Sequence, residues 1–229
     1  MTIPVFLLIG APELTVAFAS ALEATGAVVR QFGAIDSVDL VALALRVSAL
    51  DRFDAVVLLP GWRGFGAFVD STDADWNAAL SGNFTRTVYA AQAAARRLVA
   101  DGQGGNLIFV TSHLAMMPFT GAVTLGTTLA MVHAIARMAA VDLGPHGITS
   151  NVIAPGWIDD DTYTGLAPDV QAHILTGTPS GRPTTVDEVA ALMWFLASDA
   201  GRSITGAILP VDGGYTLTRS GGRGIFEPG

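Results

Sequence analysis

The chain has 229 residues, of which 51% are hydrophobic and 14% are charged, and its net charge is −8. This length suits one α/β domain, and so apolar a composition excludes an intrinsically disordered chain. An acidic chain repels phosphate backbones, so no nucleic-acid partner is expected. The absence of cysteine excludes disulfides, thiolate metal sites and a cysteine nucleophile, and we expect a cytoplasmic protein.

All basic residues are arginine, since the sequence contains no lysine. Any mechanism that needs a lysine is therefore excluded. No membrane association is expected either. The apolar segment Ile3–Gly10 is short and follows no basic residue, so a buried strand explains it better than a signal peptide. The apolar stretch Gly121–Val141 contains His133 and Arg137, which favours a packed helix over a membrane span.

Strands and helices are predicted to alternate along the whole chain. The predicted order is strand Ile3–Ile9, helix Glu13–Ala24, strand Val28–Phe32, helix Asp39–Leu50, strand Phe53–Leu59, helix Asp73–Val99 with a bend near Gly82, strand Asn106–Thr111, helix Ala122–Leu143, strand Thr149–Ala154, an irregular stretch to Pro183, helix Val186–Ser198 and strand Ala207–Val211. Thr185 and Glu188 have the spacing of a capping box for the last helix. This alternation, with no internal repeat, predicts one α/β domain over residues 1–229, with a doubly wound parallel sheet.

Seven short motifs mark the second half of the chain. They are LGPHGI at Leu143–Ile148, NVIAPG at Asn151–Gly156, GRP at Gly181–Pro183, VDEVA at Val186–Ala190, FLASD at Phe195–Asp199, ITG at Ile204–Gly206 and VDGG at Val211–Gly214. With these motifs the chain resembles the short-chain dehydrogenase/reductase family. The resemblance implies a Rossmann-type parallel sheet of about seven strands with helices on both faces. It also implies oligomers, homo- or hetero-, that pair the two long helices around residues 84–100 and 122–143.

The catalytic set of that family is an asparagine, a serine and a Tyr-x-x-x-Lys pair. Counted back from Leu143, the resemblance places the asparagine at Asn83 and the serine at Ser112. The tyrosine and lysine positions fall on Leu125 and Leu129. The chain is therefore expected to be a divergent member that lacks the pair. Loss of positioned acid–base catalysis lowers a rate by roughly 10²–10⁴-fold.

The family's glycine-rich cofactor motif is also expected to be degenerate. The first turn keeps Gly10, but Pro12 removes an amide donor and Glu13 puts a negative charge where phosphate would lie. By the same resemblance, Gly61 ends the altered turn after the third strand, and Asp160 replaces a threonine that grips the carboxamide of the nicotinamide. No cofactor is expected, and NAD(P) enters only under one alternative.

Ser112 and His113 follow the fourth strand, at the edge where open α/β sheets bind ligands. Either residue could contact a small-molecule ligand, although a remnant serine beside a surface histidine remains the alternative. Pocket-lining aromatic residues are predicted at Trp62, Phe65 and Trp157. The run Asp159–Asp161 is predicted as a solvated or helix-capping cluster rather than a metal site.

Three functions remain open. The first is a family member that has lost NAD(P)-dependent redox chemistry and acts as a non-catalytic or scaffold subunit, with an active paralogue as partner. The second is a cofactor-independent lyase, isomerase or dehalogenase on the same fold. The third is an atypical NAD(P)-dependent oxidoreductase. Fold alone does not decide between them.

Overall fold

The computed structural model describes residues 3–32, 45–47, 49–61 and 64–218. The strands are β1 (Val5–Ile9), β2 (Val28–Phe32), β3 (Ala55–Leu58), β4 (Gly105–Val110), β5 (Ile148–Pro155) and β6 (Ile208–Val211). The α-helices are α1 (Pro12–Ala24), α2 (Asp73–Ala79), α3 (Arg86–Asp101), α4 (Val123–Leu143), α5 (Asp161–Thr164), α6 (Pro168–Thr176) and α7 (Val186–Ala197). The doubly wound α/β architecture predicted from the sequence is confirmed.

The six strands form one parallel sheet in the order β2-β1-β3-β4-β5-β6. The resemblance implied about seven strands, and the described residues form six.

Both faces of the sheet are buried, because successive strand residues point to opposite sides. In β1, Leu7 and Ile9 belong to one hydrophobic cluster and Phe6 and Leu8 to the other. The first cluster includes residues of α3 and α4, and the second includes residues of α1 and α7. Helices therefore cover both faces of the sheet, which explains why its strands contain runs of consecutive apolar residues.

A π-helical turn at Leu80–Thr85 interrupts the long predicted helix Asp73–Val99 near Gly82. This turn separates α2 from α3 and contains Asn83, which is fully buried. Such π-helical turns are frequent at functional sites. The π-helical turn lies where the bend near Gly82 was predicted, and the bend itself stays a prediction.

The stretch up to Pro183 was predicted to be irregular, yet it contains α5 and α6. Both helices are short, so hydrophobic periodicity gives little signal, and their starts depend on Asp160 and Pro168. The predicted helix Asp39–Leu50 lies mostly outside the described residues.

Helix α4 with the turn that follows, Val123–His146, is long and apolar enough to cross a membrane by length and composition alone. Its buried residues pack on the sheet, and they include Val132 and Ala136 in the first hydrophobic cluster. A core helix of a folded domain passes the same test. The expectation that this segment is a packed helix therefore fits its contacts.

The resemblance implied oligomers that pair the two long helices around residues 84–100 and 122–143. Ala90 and Ala94 of α3 are not available for such pairing, since both are buried in the core. Ala134 of α4 is exposed, as are Met138 and Val141. Among the described residues of these two helices, the large exposed apolar side chains are Met138 and Val141 of α4 and Tyr89 of α3.

Candidate functional site

Two cavities open at the carboxyl ends of the strands. The first, called here the turn cavity, has a volume of about 200 Å³ and lies along Gly10, Pro12, Glu13, Gly61 and Arg86. The second, called here the leucine pocket, has a volume of about 160 Å³ and is lined mainly by apolar side chains. Its lining includes Leu14, Phe18, Phe65, Leu125, Leu129, Trp157 and Ile158, with Ser112, His113 and Asp160 as polar members.

Ser112 and His113 lie where β4 ends, as the sequence predicted, and both line the leucine pocket. The Ser112 hydroxyl accepts a hydrogen bond from the Leu114 amide at 3.3 Å and lies 3.3 Å from Nδ1 of His113. It thereby caps the short 3₁₀ turn His113–Ala115. The serine is thus held beside the histidine rather than facing open solvent.

His113 is only 4% exposed, so the alternative of a surface histidine is wrong. Its ring lies 5.3 Å from that of Tyr215 in an edge-on contact and 5.7 Å from that of Trp157. Burial lowers the pKa of His113, and the Pro155 carbonyl and the charge of Asp212 only partly offset this. The imidazole is therefore neutral near pH 7, with one donor and one acceptor nitrogen.

Leu125 and Leu129 form the α4 side of the leucine pocket and are 6% and 2% exposed. They lie one helical turn apart, so they share a face of α4. The neighbouring Thr128 accepts a hydrogen bond from the Asn83 side-chain amide at 3.1 Å and donates to the Thr124 carbonyl at 2.8 Å. Asn83 therefore fastens the π-helical turn to α4.

Asn83 does not line the leucine pocket. It was predicted with Ser112 and His113 as a member of one catalytic group. The structure brings the serine and histidine together, whereas the side-chain amide of Asn83 donates its hydrogen bond to Thr128 of α4. This hydrogen bond ties the π-helical turn to α4.

The start of α1 does not fit a pyrophosphate held at a helix N-terminus. Ala11 is the N-cap residue and offers no side-chain hydrogen bond, and Pro12 occupies the first helical turn without an N–H group. Glu13 lies in the same turn and is exposed, so its carboxylate would repel a phosphate. The first turn of α1 therefore offers an anion one amide fewer and a negative charge, and Arg86 is the cation among the described residues that line the turn cavity.

Gly10 and Gly61 serve close packing. Gly10 has φ +156°, and a side chain there would meet Leu59 with a Cβ–Cβ distance of 2.4 Å. A Cβ on Gly61 would lie 3.2 Å from the Gly82 carbonyl oxygen. Both glycines thus bring neighbouring backbones together, which is a structural reason for each of them.

Asp160 caps α5, since its carboxylate accepts hydrogen bonds from the amides of Thr162 and Tyr163 at 2.9 and 3.0 Å. No cluster of histidine, aspartate or glutamate suited to a metal ion occurs among the described residues. Phe65 and Trp157 line the leucine pocket, with Phe65 64% exposed at its rim. Trp62 lies outside the described residues.

Three contacts were missed in the sequence. The hydroxyl of Thr111 lies 2.9 Å from Nε2 of His133, which ties the end of β4 to α4. Burial lowers the pKa of His133. Thr128 holds Asn83, and Tyr215 packs against His113. Tyr215 follows β6, and β6 pairs with β5 in the parallel sheet. The strand order could therefore have placed Tyr215 at the same edge of the sheet as the residues that follow β5.

With this geometry described, the chain can be compared with known proteins. A family model described as "Enoyl-(Acyl carrier protein) reductase" matches residues 13–216. The match covers most of the chain, and the sheet order and motifs agree with it. The chain belongs to the short-chain dehydrogenase/reductase family.

Two curated relatives illustrate the range of similar proteins. Cis-4-hydroxycyclohexanecarboxylate dehydrogenase of Sinomonas cyclohexanicum is 36% identical over 62% of this chain and 57% of its own length. L-rhamnose 1-dehydrogenase (NAD(P)(+)) of Azotobacter vinelandii is 32% identical over 75% of this chain and 68% of its own. The chain thus spans little more than half of the first relative and about two thirds of the second.

Solved structures share the fold over nearly the full chain. A short-chain dehydrogenase/reductase family oxidoreductase from Burkholderia thailandensis matches with a TM-score of 0.83, 25% identity and coverage of 94% of this chain and 93% of its own. A short-chain type dehydrogenase/reductase from Mycobacterium ulcerans matches with a TM-score of 0.84, 24% identity and coverage of 96% and 93%. At 24% identity the second likeness concerns the fold alone.

Proposed function

We propose that this family member has lost NAD(P)-dependent redox chemistry and keeps the leucine pocket as a binding site for a small molecule. It would act as a non-catalytic subunit beside active members of its family. One observation carries the proposal: Leu125 and Leu129 line the pocket close to Ser112, where the family resemblance assigns a tyrosine and a lysine. Leucine can neither transfer a proton nor hold a ribose.

The polar groups at the end of β4 are poor proton donors. Ser112 is a weak acid, and the neutral imidazole of His113 can accept a proton more readily than supply one. Tyr163 also lines the pocket, but it lies on α5 rather than at either of the α4 positions that the resemblance assigns to the pair. Redox chemistry in this family also needs a bound nucleotide. The start of α1 disfavours the pyrophosphate of such a nucleotide, because Pro12 lacks an amide donor and Glu13 is negatively charged. Proton transfer and cofactor binding are therefore weakened at two separate places.

A second candidate is an atypical NAD(P)-dependent oxidoreductase. The comparisons favour it, since both curated relatives described above are dehydrogenases. The turn cavity also leaves about 200 Å³ at the edge where the family binds its cofactor. This candidate requires a nucleotide held by groups other than the first turn of α1, and His113 as proton acceptor for an alcohol.

The two candidates differ in nucleotide binding. We expect isothermal titration calorimetry to detect no micromolar binding of NADH or NADPH, and no turnover with cyclic and open-chain alcohols and ketones. Micromolar binding together with turnover that His113→Phe abolishes would establish the second candidate and refute the first. A purified dehydrogenase of the family serves as the positive control for both measurements.

Restoring the two side chains alone is expected to fail. In Leu125→Tyr/Leu129→Lys, both new groups would share one face of α4 near Ser112, but the start of α1 would be unchanged. An ammonium without a partner in the buried, apolar pocket would also destabilise the fold or lower its own pKa. A steady-state assay of this double variant with NADPH and a ketone panel checks the expectation, and clear turnover would contradict it.

A further inference from the structure

We propose that the segment after the last described residue, residues 219–229, folds back over the leucine pocket and inserts the side chain of Phe226 into it. The inference rests on the proposed function, because it treats the pocket as a binding site rather than a redox centre. It adds a regulator of that site, since a small molecule can enter only when Phe226 leaves. The reach of the segment, the shape of the pocket and the charges at its rim each support this contact.

The described chain ends close to the pocket. The Tyr215 ring lies 5.3 Å from that of His113, which lines the pocket, and the Thr218 amide donates a hydrogen bond to the Tyr215 carbonyl at 3.3 Å. Phe226 follows Thr218 by eight residues. Eight residues of a glycine-rich chain span about 16 Å on average and up to about 28 Å when extended. The segment is therefore long enough for Phe226 to reach the pocket of its own chain.

The 219–229 segment has a single apolar centre. Ile225 and Phe226 are its large apolar residues, and glycine occupies positions 221, 222 and 224 just before them. Two adjacent apolar side chains in so short and glycine-rich a segment do not make a core. Phe226 can therefore leave water only by contact with another part of the molecule, and burial of its ring favours such a contact.

The leucine pocket has the size and the wall that a phenyl ring needs. Its volume is about 160 Å³, and an apolar cavity of roughly 150 Å³ holds a benzene molecule. Leu125 and Leu129, which stand where the family resemblance assigns polar residues, make one wall of the pocket apolar. Phe65 lies at the rim with 64% of its surface exposed, so its ring can pack against the entering chain. A phenylalanine side chain suits this site, because it brings no polar group that would need a partner.

Acidic residues at the rim of the pocket favour the same segment. The run Asp159–Asp161 lies there, since Asp160 lines the pocket and its two neighbours are exposed. None of the ion pairs among the described residues involves this run. Arg219 and Arg223 precede the apolar pair of the segment and Glu227 follows it, so its positive side chains outnumber the negative one. Pairing of the arginines with the aspartates would orient the segment, and salt would weaken this pairing because the groups are exposed.

Because the chain contains no cysteine, a pair of introduced cysteines reports the contact directly. Thr162 is exposed and lines the pocket, and Glu227 is the neighbour of Phe226. We expect Thr162→Cys/Glu227→Cys to form a disulfide within one chain. Its equilibrium constant against glutathione should be at least about tenfold larger than that of the control Val141→Cys/Glu227→Cys. Val141 is exposed on α4 and does not line the pocket, and non-reducing electrophoresis with mass spectrometry quantifies both disulfides.

Substitutions in the segment test the anchor and the charges. Phe226→Ser in the Thr162→Cys/Glu227→Cys background should lower the equilibrium constant to the control value. Phe226→Leu keeps an apolar side chain and should lower the constant less. Arg223→Glu should lower the constant at low ionic strength and should lose this effect in concentrated salt.

A second measurement needs no cysteine. In ¹³C-methyl NMR spectra of the full chain, the ring of Phe226 should shift the methyl signals of Leu129, which are assigned by their loss in Leu129→Met. Phe226→Ser should therefore move these signals. The methyl signals of Val141 serve as the control and should stay where they are.

The outcomes separate this inference from the proposed function. A disulfide that forms mainly between two chains would show that a second copy supplies the segment, and it would overturn the contact within one chain. Equal constants for the pocket pair and the control pair, or unchanged Leu129 signals in Phe226→Ser, would overturn the inference altogether. The loss of redox chemistry is judged by NAD(P)H titration and turnover alone, which these measurements do not involve.

Discussion

His113 and His133 are both buried where β4 meets α4, and they affect stability through the same physical effect. Burial lowers the pKa of each below its ordinary value. The unfolded chain therefore binds protons near pH 6.5 that the folded protein does not bind. The folded state is therefore fully favoured above that pH, and stability is lost progressively as the pH falls from the unfolded pKa toward the lowered folded pKa.

We expect the free energy of unfolding to decrease from pH 7 to pH 5.5, with each histidine contributing a slope of at most about 1.4 kcal/mol per pH unit. His113→Asn and His133→Asn should each reduce this slope. His146→Asn, which changes an exposed histidine, is the control and should not. Urea denaturation at several pH values measures all three, and an unchanged slope in both buried variants would contradict the prediction.

Single residues were predictable to different degrees. Ser112 and His113 were found because they follow an apolar run that was recognisable as a strand. The burial of His113 was not predicted, because it depends on Trp157 and Tyr215, which lie far away in sequence. The hydrogen bond between Asn83 and Thr128 likewise joins residues 45 positions apart. Such contacts depend on packing that no local pattern records.

Within elements, Gly126 of α4 shows that packing can reverse a helix propensity. Alanine usually stabilises a helix by about 1 kcal/mol relative to glycine. A Cβ at position 126, however, would lie 2.8 Å from the Leu114 carbonyl oxygen. We therefore expect Gly126→Ala to lower the midpoint of thermal unfolding. Thr127→Ala, at the exposed neighbouring position, should leave it unchanged or raise it, and a midpoint raised in both variants would refute the packing argument.

The start of α7 carries the predicted capping box, which the structure confirms. Glu188 accepts a hydrogen bond from the Thr185 amide at 2.9 Å and also pairs with Arg182. These contacts lower the pKa of Glu188 to about 2. Thr185→Ala should cost about 1 kcal/mol in urea denaturation, whereas Thr185→Ser keeps the hydroxyl and should cost much less. Equal losses in the two variants would show that the hydroxyl is not the cause.

Element prediction succeeded where periodicity was long or capping chemistry was clear. Helices α1, α4 and α7 and strand β2 lie within a residue or two of their predicted bounds. It failed for α5 and α6, because four and nine residues carry too little periodicity to outweigh the surrounding glycine and proline residues. The parallel α/β sheet was predicted in class, and the described residues form six of the about seven strands that the resemblance implied.

At the scale of the whole molecule, association with a second subunit remains a prediction. The exposed surface of α4 presents Met138 and Val141, which are 60% and 73% exposed. Covering such side chains in a helix pair would remove apolar area from water. We expect sedimentation to give a species larger than the 23.6 kDa chain at micromolar concentration. Met138→Glu/Val141→Glu should shift it toward the monomer, and a stable unmodified monomer would refute the prediction.

The strand order has a consequence for how the sheet can assemble during synthesis. Strand β3 pairs with β1 opposite β2, and from there each new strand joins the same growing edge in the order in which it leaves the ribosome. A five-stranded sheet can therefore be complete once Pro155 has emerged, with β6 added last. Because α7 is made after β5, one face of that nascent sheet is still partly uncovered at this stage, and it is then that the chain is most exposed to aggregation or to capture by a chaperone.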